Sequence, residues 1–250
     1  MKELQVQLAW NRLLAIVEEQ AQVLMRTAFS TVVREAGDLS AGVFDVEGEM
    51  LAQAVTGTPG HVNSMAEAVK KFLAKYPISE LEPGDVLLTN DPWDGTGHLN
   101  DFTVVTPVFL SSEIIGFFAS TSHIADVGGR GFGPDANDLF EEGMRVPISF
   151  LLEKGKPNKT LMELIKANVR DPLVAEGDLY SLIACNEAGS VELLEMLNDL
   201  DLRDLEELGE IILDRSKNAM REEIEGLGHH DVQYEIVIDG YEEPVLIRCR

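Results

Sequence analysis

Basic residues are scarce in this sequence. Lys and Arg contribute 20 residues against 44 Asp and Glu, which leaves a formal net charge of −24 at pH 7. A surface of that sign repels the phosphates of nucleic acids and the headgroups of anionic lipids. The charge balance therefore predicts that the protein acts on neither nucleic acid nor a membrane surface.

Cysteines are few, and long apolar runs are absent from the sequence. Cys185 and Cys249 lie far apart, and neither belongs to a Cys-x-x-Cys metal motif. No run reaches the roughly 18 apolar residues that a membrane helix needs. The N-terminus lacks the basic-then-apolar pattern of a secretory signal. We therefore expect a cytoplasmic protein with reduced thiols.

Two nucleotide-binding motifs are missing as well. The glycine loop at 128–133 lacks the GxxxxGK[ST] pattern, and no GxGxxG lies between a strand and a helix. The sequence therefore gives no direct support for ATP or dinucleotide binding by this chain itself.

Apolar periodicity predicts an α+β fold with mixed or antiparallel sheets. The first half combines helices with hairpins, whereas residues from about 159 to 226 are mainly helical. Ser64 and Glu67 form a capping-box pattern that predicts the start of a second helix. The predicted strands pair as two early hairpins and one terminal hairpin, namely 41–54 about the turn Glu47-Gly48, 102–110 with 114–120, and 232–238 with 245–249.

The residues with metal-ligand chemistry lie at the two ends of one hairpin. His98 and Asp101 immediately precede its first strand, and His123 immediately follows its second. In an antiparallel pair the start of the first strand lies beside the end of the second. Two imidazoles and a carboxylate suit zinc, manganese or iron, and three protein ligands leave a position open for water or substrate. The alternative is that these are ordinary polar residues at strand ends.

Two aspartates are further candidates for this centre. Asp38, in Asp38-Leu-Ser40, could be a fourth ligand or could orient a ligating imidazole, and it could equally cap a turn. Asp126 offers the same role near His123, or it could bond the backbone of the glycine loop.

Two other positions are candidates with weaker support. His61 could line a substrate pocket or cap a helix, and Arg145 could bind a carboxylate or phosphate or pair with Glu141 or Asp138. His229 and His230 are interpreted as solvent-facing residues.

Three ordered motifs resemble the hydantoinase B/oxoprolinase family. They begin at Asn90-Asp-Pro-Trp, Ser122-His123-Ile-Ala and Phe140-Glu-Glu-Gly, and the resemblance extends over essentially residues 1–250 as a single region. It implies His98, Asp101 and His123 as ligands of a divalent metal, with Asp38 close by. Zinc is the first expectation, with manganese or iron as alternatives.

The resemblance also implies a reaction and a partner. It implies a hetero-oligomer in which a hydantoinase A-type subunit holds ATP and magnesium, and in which the two subunits open a hydantoin, 5-oxoproline or lactam ring. Asp38 and Asp126 would take the catalytic roles. Two alternatives stay open, a subunit of an ATP-dependent acetone or acetophenone carboxylase and a non-catalytic assembly module. Members of the family are about twice as long, so we expect this chain to be their N-terminal half.

Overall fold

The computed structural model describes residues 1–131, 133, 135–228, 232–240 and 242–250. The interpretation of His229 and His230 lies outside these residues. Residues 1–211 form one compact unit and residues 212–250 form another.

The predicted hairpins and helical second half are present, together with short helices and strands that the apolar pattern did not predict. The helices are α1 Glu3–Thr27, α2 Thr31–Arg34, α3 Pro59–Lys75, α4 Leu139–Glu142, α5 Lys159–Asn168, α6 Pro172–Asp199 and α7 Glu206–Gly226. The strands are β1 Leu39–Phe44, β2 Met50–Gln53, β3 Val86–Thr89, β4 Asp101–Leu110, β5 Glu113–His123, β6 Ser149–Glu153, β7 Lys156–Pro157, β8 Tyr234–Ile238 and β9 Val245–Cys249. None of the described helices is long and apolar enough to cross a membrane.

A seven-stranded sheet organises the larger unit, with the strand order β2-β1-β5-β4-β3-β6-β7. Every strand pair described in it is antiparallel. The smaller unit contains the antiparallel pair β8-β9. The predicted α+β class and all three predicted hairpins are therefore confirmed.

Helices cover both faces of the seven-stranded sheet. Because successive strand residues point to opposite faces, Val104 and Val105 of β4 belong to different apolar clusters. Val104 packs in the cluster that contains residues of α1, α5 and α6. Val105 packs in the cluster that contains the apolar face of α3. The central strands are consequently buried on both sides, as in other sheets covered by helices on each face.

Helix α6 comes very close to the sheet because small residues line it. At Gly189, a Cβ atom would lie 2.6 Å from Cε1 of Phe118, a fully buried residue of β5. The absence of a side chain at Gly189 is therefore what allows this approach.

A buried polar network joins α1 and α6 to the sheet. Gln20 of α1 donates to the side-chain oxygen of Asn186 in α6 at 2.8 Å and to the carbonyl of Ala119 at 3.1 Å. The Asn186 amide in turn donates to the carbonyl of Val104 at 3.2 Å and to the Thr106 hydroxyl at 3.1 Å. Both polar side chains are fully buried, so their hydrogen bonds offset the cost of removing them from water.

Helix α3 begins earlier than the capping-box pattern predicted. It starts at Pro59, and the Ser64 hydroxyl donates to the carbonyls of Gly60 and His61 inside the helix. Proline suits the first helical position because its φ is already helical and the missing N–H would have no partner there. The prediction of a start at Ser64 was therefore wrong, and His61 lies in the first turn of the helix.

We expect Asn186→Ala to destabilise the chain by about 1–3 kcal/mol, since the amide of Gln20 and the carbonyl of Val104 each lose a buried partner. Urea unfolding would measure the change. Asn198→Ala is the matched control, because Asn198 is exposed on the same helix. Surface substitutions usually change the free energy of unfolding by no more than about 0.5 kcal/mol. A change for Asn186→Ala within that range of the control would contradict the structural role of the network.

We expect Gly189→Ala to destabilise the chain as well, although alanine is the better helix former by about 1 kcal/mol. The new methyl group would overlap the Phe118 ring, which is fully buried. Gly226→Ala is the control, because a Cβ there meets nothing within 4 Å. Thermal unfolding of both variants would test this, and a midpoint for Gly189→Ala at or above wild type would contradict the close approach.

Candidate metal centre

The β4–β5 hairpin brings the first two candidate ligands together. Asp101 is the first residue of β4 and His123 the last residue of β5, and the strand register pairs them directly. His98 lies in the loop before β4, where its carbonyl accepts the backbone N–H of Asp101 at 3.1 Å. The turn between His98 and Asp101 directs the imidazole back to the carboxylate, with Nε2 at 3.0 Å from Oδ1.

Asp38, the residue just before strand β1, also lies at this centre. The carbonyl of Asp38 accepts the backbone N–H of His123 at 3.1 Å, which extends the β1–β5 pairing by one residue. The Thr58 hydroxyl donates to Oδ1 of Asp38 at 2.6 Å and so orients the carboxylate. The other oxygen, Oδ2, lies 3.7 Å from Nδ1 of His123.

Helix α3 adds His61, whose Nε2 lies 3.1 Å from Oδ2 of Asp101 and 3.8 Å from Oδ1 of Asp38. From the sequence, His61 was expected to line a substrate pocket or to cap a helix. The structure places it beside two carboxylates of the cluster, with only 6% of the residue exposed, and a role of His61 towards substrate stays a prediction.

The donor atoms of His98, Asp101 and His123 have the spacing of ligands around one ion. They all lie within 4.8 Å of one another. Nδ1 of His123 is 3.5 Å from Oδ1 of Asp101, and Nε2 of His98 is 3.0 Å from the same oxygen. Ligands about 2.1 Å from a tetrahedral ion are separated by about 3.4 Å. These residues therefore fit a divalent metal, and Oδ2 of Asp38 is at a compatible distance from His123.

Burial differs across the cluster in a way that leaves one side accessible. The side chains of Asp101 and His123 are 1% and 8% exposed, whereas those of His98 and Asp38 are 38% and 32% exposed. Asp101 lies at the base and the other two lie towards solvent. A ligand or substrate could therefore reach the cluster between His98 and Asp38.

Electrostatics keep the central carboxylate ionised. Burial alone raises the pKa of Asp101, but the hydrogen bonds from His123, His61 and His98 together outweigh it and hold the pKa well below its usual range. The hydrogen bond to Asp101 in turn raises the pKa of His98, although partial burial opposes it. The cluster thus provides a charged carboxylate where a cation would sit.

Two buried asparagines, for which the sequence predicted no role, hold the loops of this centre. Asn90 donates to the carbonyls of Leu99 at 2.7 Å and Met144 at 2.9 Å. Asn100 donates to the carbonyl of Ile124 at 2.9 Å, across the open end of the hairpin. The position of Asn100 next to Asp101 in the sequence was a usable signal, but its acceptor Ile124 is distant along the chain.

Arg145 lies beside the loop that carries His98. Its guanidinium is 3.6 Å from Oδ2 of Asp91 and is about half exposed. The neighbouring N–H of Val146 donates to the side-chain oxygen of Asn90 at 2.6 Å, which fixes the segment against the loop. Arg145 therefore pairs with Asp91 rather than with Glu141 or Asp138. A role of Arg145 towards substrate stays a prediction.

Asp126 contacts the glycine loop and Arg170. One of its oxygens accepts from the backbone N–H of Gly128 at 3.0 Å and from the Arg170 guanidinium at 2.7 Å. The second oxygen accepts from the backbone N–H of Arg170. These hydrogen bonds lower the pKa of Asp126 against the opposing effect of burial. They anchor the loop that follows His123, and a catalytic role for Asp126 stays a prediction.

Comparison with known proteins gives relatives that extend well beyond this chain. An uncharacterized protein of Methanocaldococcus jannaschii is 37% identical over 215 residues, which are 84% of this chain and 38% of that protein. Caprolactamase subunit beta of Pseudomonas jessenii is 31% identical over 183 residues, which are 72% of this chain and 31% of that subunit. The chain thus spans less than half the length of these relatives.

The fold recurs in a solved structure. The crystal structure of the ATP-dependent caprolactamase from Pseudomonas jessenii matches with a TM-score of 0.85 and 24% identity, covering 100% of this chain and 45% of that one. The family model for hydantoinase B/oxoprolinase matches residues 2–250. With nearly the whole sequence matched, this chain belongs to the hydantoinase B/oxoprolinase family.

Proposed function

We propose that this chain is the metal-binding part of an ATP-dependent hydrolase that opens a cyclic amide, such as a hydantoin, 5-oxoproline or a lactam. The observation that carries the proposal is the group formed by His98, Asp101 and His123, whose donor atoms lie within 4.8 Å of one another at an accessible end of the sheet. The similarity to caprolactamase subunit beta supports the class of reaction.

The proposed ligands are His98, Asp101 and His123, with Asp38 as a candidate for the fourth. Two imidazoles and a carboxylate favour zinc, and they also suit manganese or iron. A bound divalent ion would supply a Lewis acid that polarises a carbonyl oxygen and lowers the pKa of water at the site. Three protein ligands leave at least one position open, as catalytic rather than structural sites do.

Asp38 is the group best placed to move a proton. Its carboxylate is one-third exposed and lies on the accessible side, while the Thr58 hydroxyl holds one of its oxygens. The other oxygen can accept the proton of a water that attacks the activated amide carbon. Arg145, half exposed next to this loop, is proposed to bind an anionic group of the substrate through its planar guanidinium.

ATP chemistry is proposed for a hydantoinase A-type partner, which would hold ATP and magnesium. Transfer of the terminal phosphoryl group to the amide oxygen releases ADP and makes the carbonyl carbon electrophilic. Attack by one water then breaks the ring C–N bond, frees the amine and leaves an acyl phosphate. A second water cleaves the acyl phosphate and releases phosphate and the open-chain acid. Division of the reaction in this way is consistent with the absence of nucleotide motifs from residues 1–250.

We expect the purified chain to bind close to one divalent ion, and we expect His98→Ala/His123→Ala to lose it because two of three ligands are gone. Plasma mass spectrometry would give the metal content. Asp94→Asn is the control, since Asp94 lies in the same loop and pairs with Lys71 instead. Circular dichroism of each variant would separate loss of metal from loss of fold.

Absence of metal from the wild-type chain, after reconstitution with zinc, manganese and iron in turn, would contradict this proposal. An unchanged complex with the hydantoinase A-type partner in that case would favour the assembly module.

We expect Asp38→Asn, in complex with the partner, to lower kcat by about 10²–10⁴-fold, the usual range for loss of a proton-transfer group. Ring opening coupled to ADP release would be measured together with metal content. Retained metal with lost turnover identifies Asp38 as the base, and loss of both identifies it as the fourth ligand. Unchanged turnover would contradict both roles, and turnover that requires bicarbonate and a ketone would favour the carboxylase.

A further inference from the structure

His61 is a buried imidazole whose two nitrogens have different surroundings. Nε2 lies 3.1 Å from Oδ2 of Asp101. Nδ1 is buried and has no hydrogen-bond partner among the described residues. Among the described residues, this imidazole, which is 6% exposed, therefore has its one close polar contact with the carboxylate of Asp101.

The two oxygens of Asp101 face different groups. Oδ1 lies 3.0 Å from Nε2 of His98 and 3.5 Å from Nδ1 of His123, the two imidazoles proposed as ligands. Oδ2 lies 3.1 Å from Nε2 of His61. A hydrogen bond from His61 to Oδ2 would therefore leave Oδ1 as the oxygen presented to the ion.

Two roles are chemically possible for His61, a further metal ligand or a donor that orients Asp101. A ligating histidine almost always donates its other ring N–H to a carboxylate, a backbone carbonyl or water. The described residues offer Nδ1 of His61 no such acceptor. A neutral imidazole with its proton on Nε2 needs an acceptor only at that nitrogen, which is the one that faces Asp101.

We propose that His61 is a positioning residue that donates from Nε2 to Oδ2 of Asp101 and thereby directs Oδ1 to the metal. The inference rests on the proposed metal site and adds a residue outside its ligand set. His61 acts through Asp101 and has no contact with substrate assigned to it.

The start of α3 is built to hold His61 in this position. The backbone N–H of His61 donates to the carbonyl of Thr58 at 3.0 Å, and the carbonyl of His61 accepts from the Ser64 hydroxyl at 3.0 Å. Thr58 itself donates to Oδ1 of Asp38. The first turn of one helix therefore orients both carboxylates of the cluster.

Cobalt(II) binding to the full chain, measured by competition with a chromophoric chelator, tests this role through two substitutions of His61. We expect His61→Leu to weaken binding by about 10–100-fold, the usual effect of removing a group that orients a ligand. We expect His61→Gln to stay within a few-fold of wild type, because the glutamine amide places a donor near the position of Nε2. Stoichiometry should remain one ion in both variants.

His98→Gln is the matched control. A glutamine amide is a poor substitute for a ligating imidazole, so this variant should largely lose cobalt binding. His61→Gln as weak as His61→Leu would overturn the positioning role, and so would wild-type affinity in His61→Leu. Urea unfolding of the metal-free variants checks that each is folded. Failure of the wild-type chain to bind cobalt would instead contradict the proposed metal site itself, so the two failures are distinguishable.

Discussion

A negative charge buried at the end of a sheet is the constraint on which this molecule depends. Asp101 is 1% exposed, and burial of an unpaired ion costs several kcal/mol. The structure offsets that cost with three imidazoles, which come from a loop, a strand end and the start of a helix. The hairpin register, the helix start at Pro59 and the asparagines of the loops can all be understood as means of bringing those groups to one carboxylate.

Much of this arrangement was predictable because antiparallel pairing converts sequence order into position. Apolar runs on each side of a short polar link predicted β4 and β5, and their pairing placed Asp101 beside His123. The same patterns predicted the β1–β2 hairpin and the helical second half. Each of these predictions depends on neighbours along the chain or on one tight turn, for which sequence rules are strongest.

Two features, one local in sequence and one long-range, made the contribution of His61 unpredictable from the sequence. Locally, the Ser64–Glu67 capping pattern competed with Pro59 as a helix start, and the choice between them changes which face His61 occupies. At a distance, its partner Asp101 is forty residues further along the chain, and only the packing of α3 on the sheet joins them. The roles of Asn90 and Asn100 were not predicted for the same reason, because loop packing rather than any repeating pattern determines their hydrogen-bond acceptors.

The hydrogen bonds between Gln20, Asn186 and the sheet have a consequence for the other end of β4 and β5. Apolar attraction is non-directional, whereas buried amides keep their partners only in one alignment. Translation of α1 or α6 by even one residue would separate Asn186 from Val104 and Gln20 from Ala119. The polar network therefore fixes the alignment of α1 and α6 on the sheet. The strand ends that carry Asp101 and His123 are held in one position as a result.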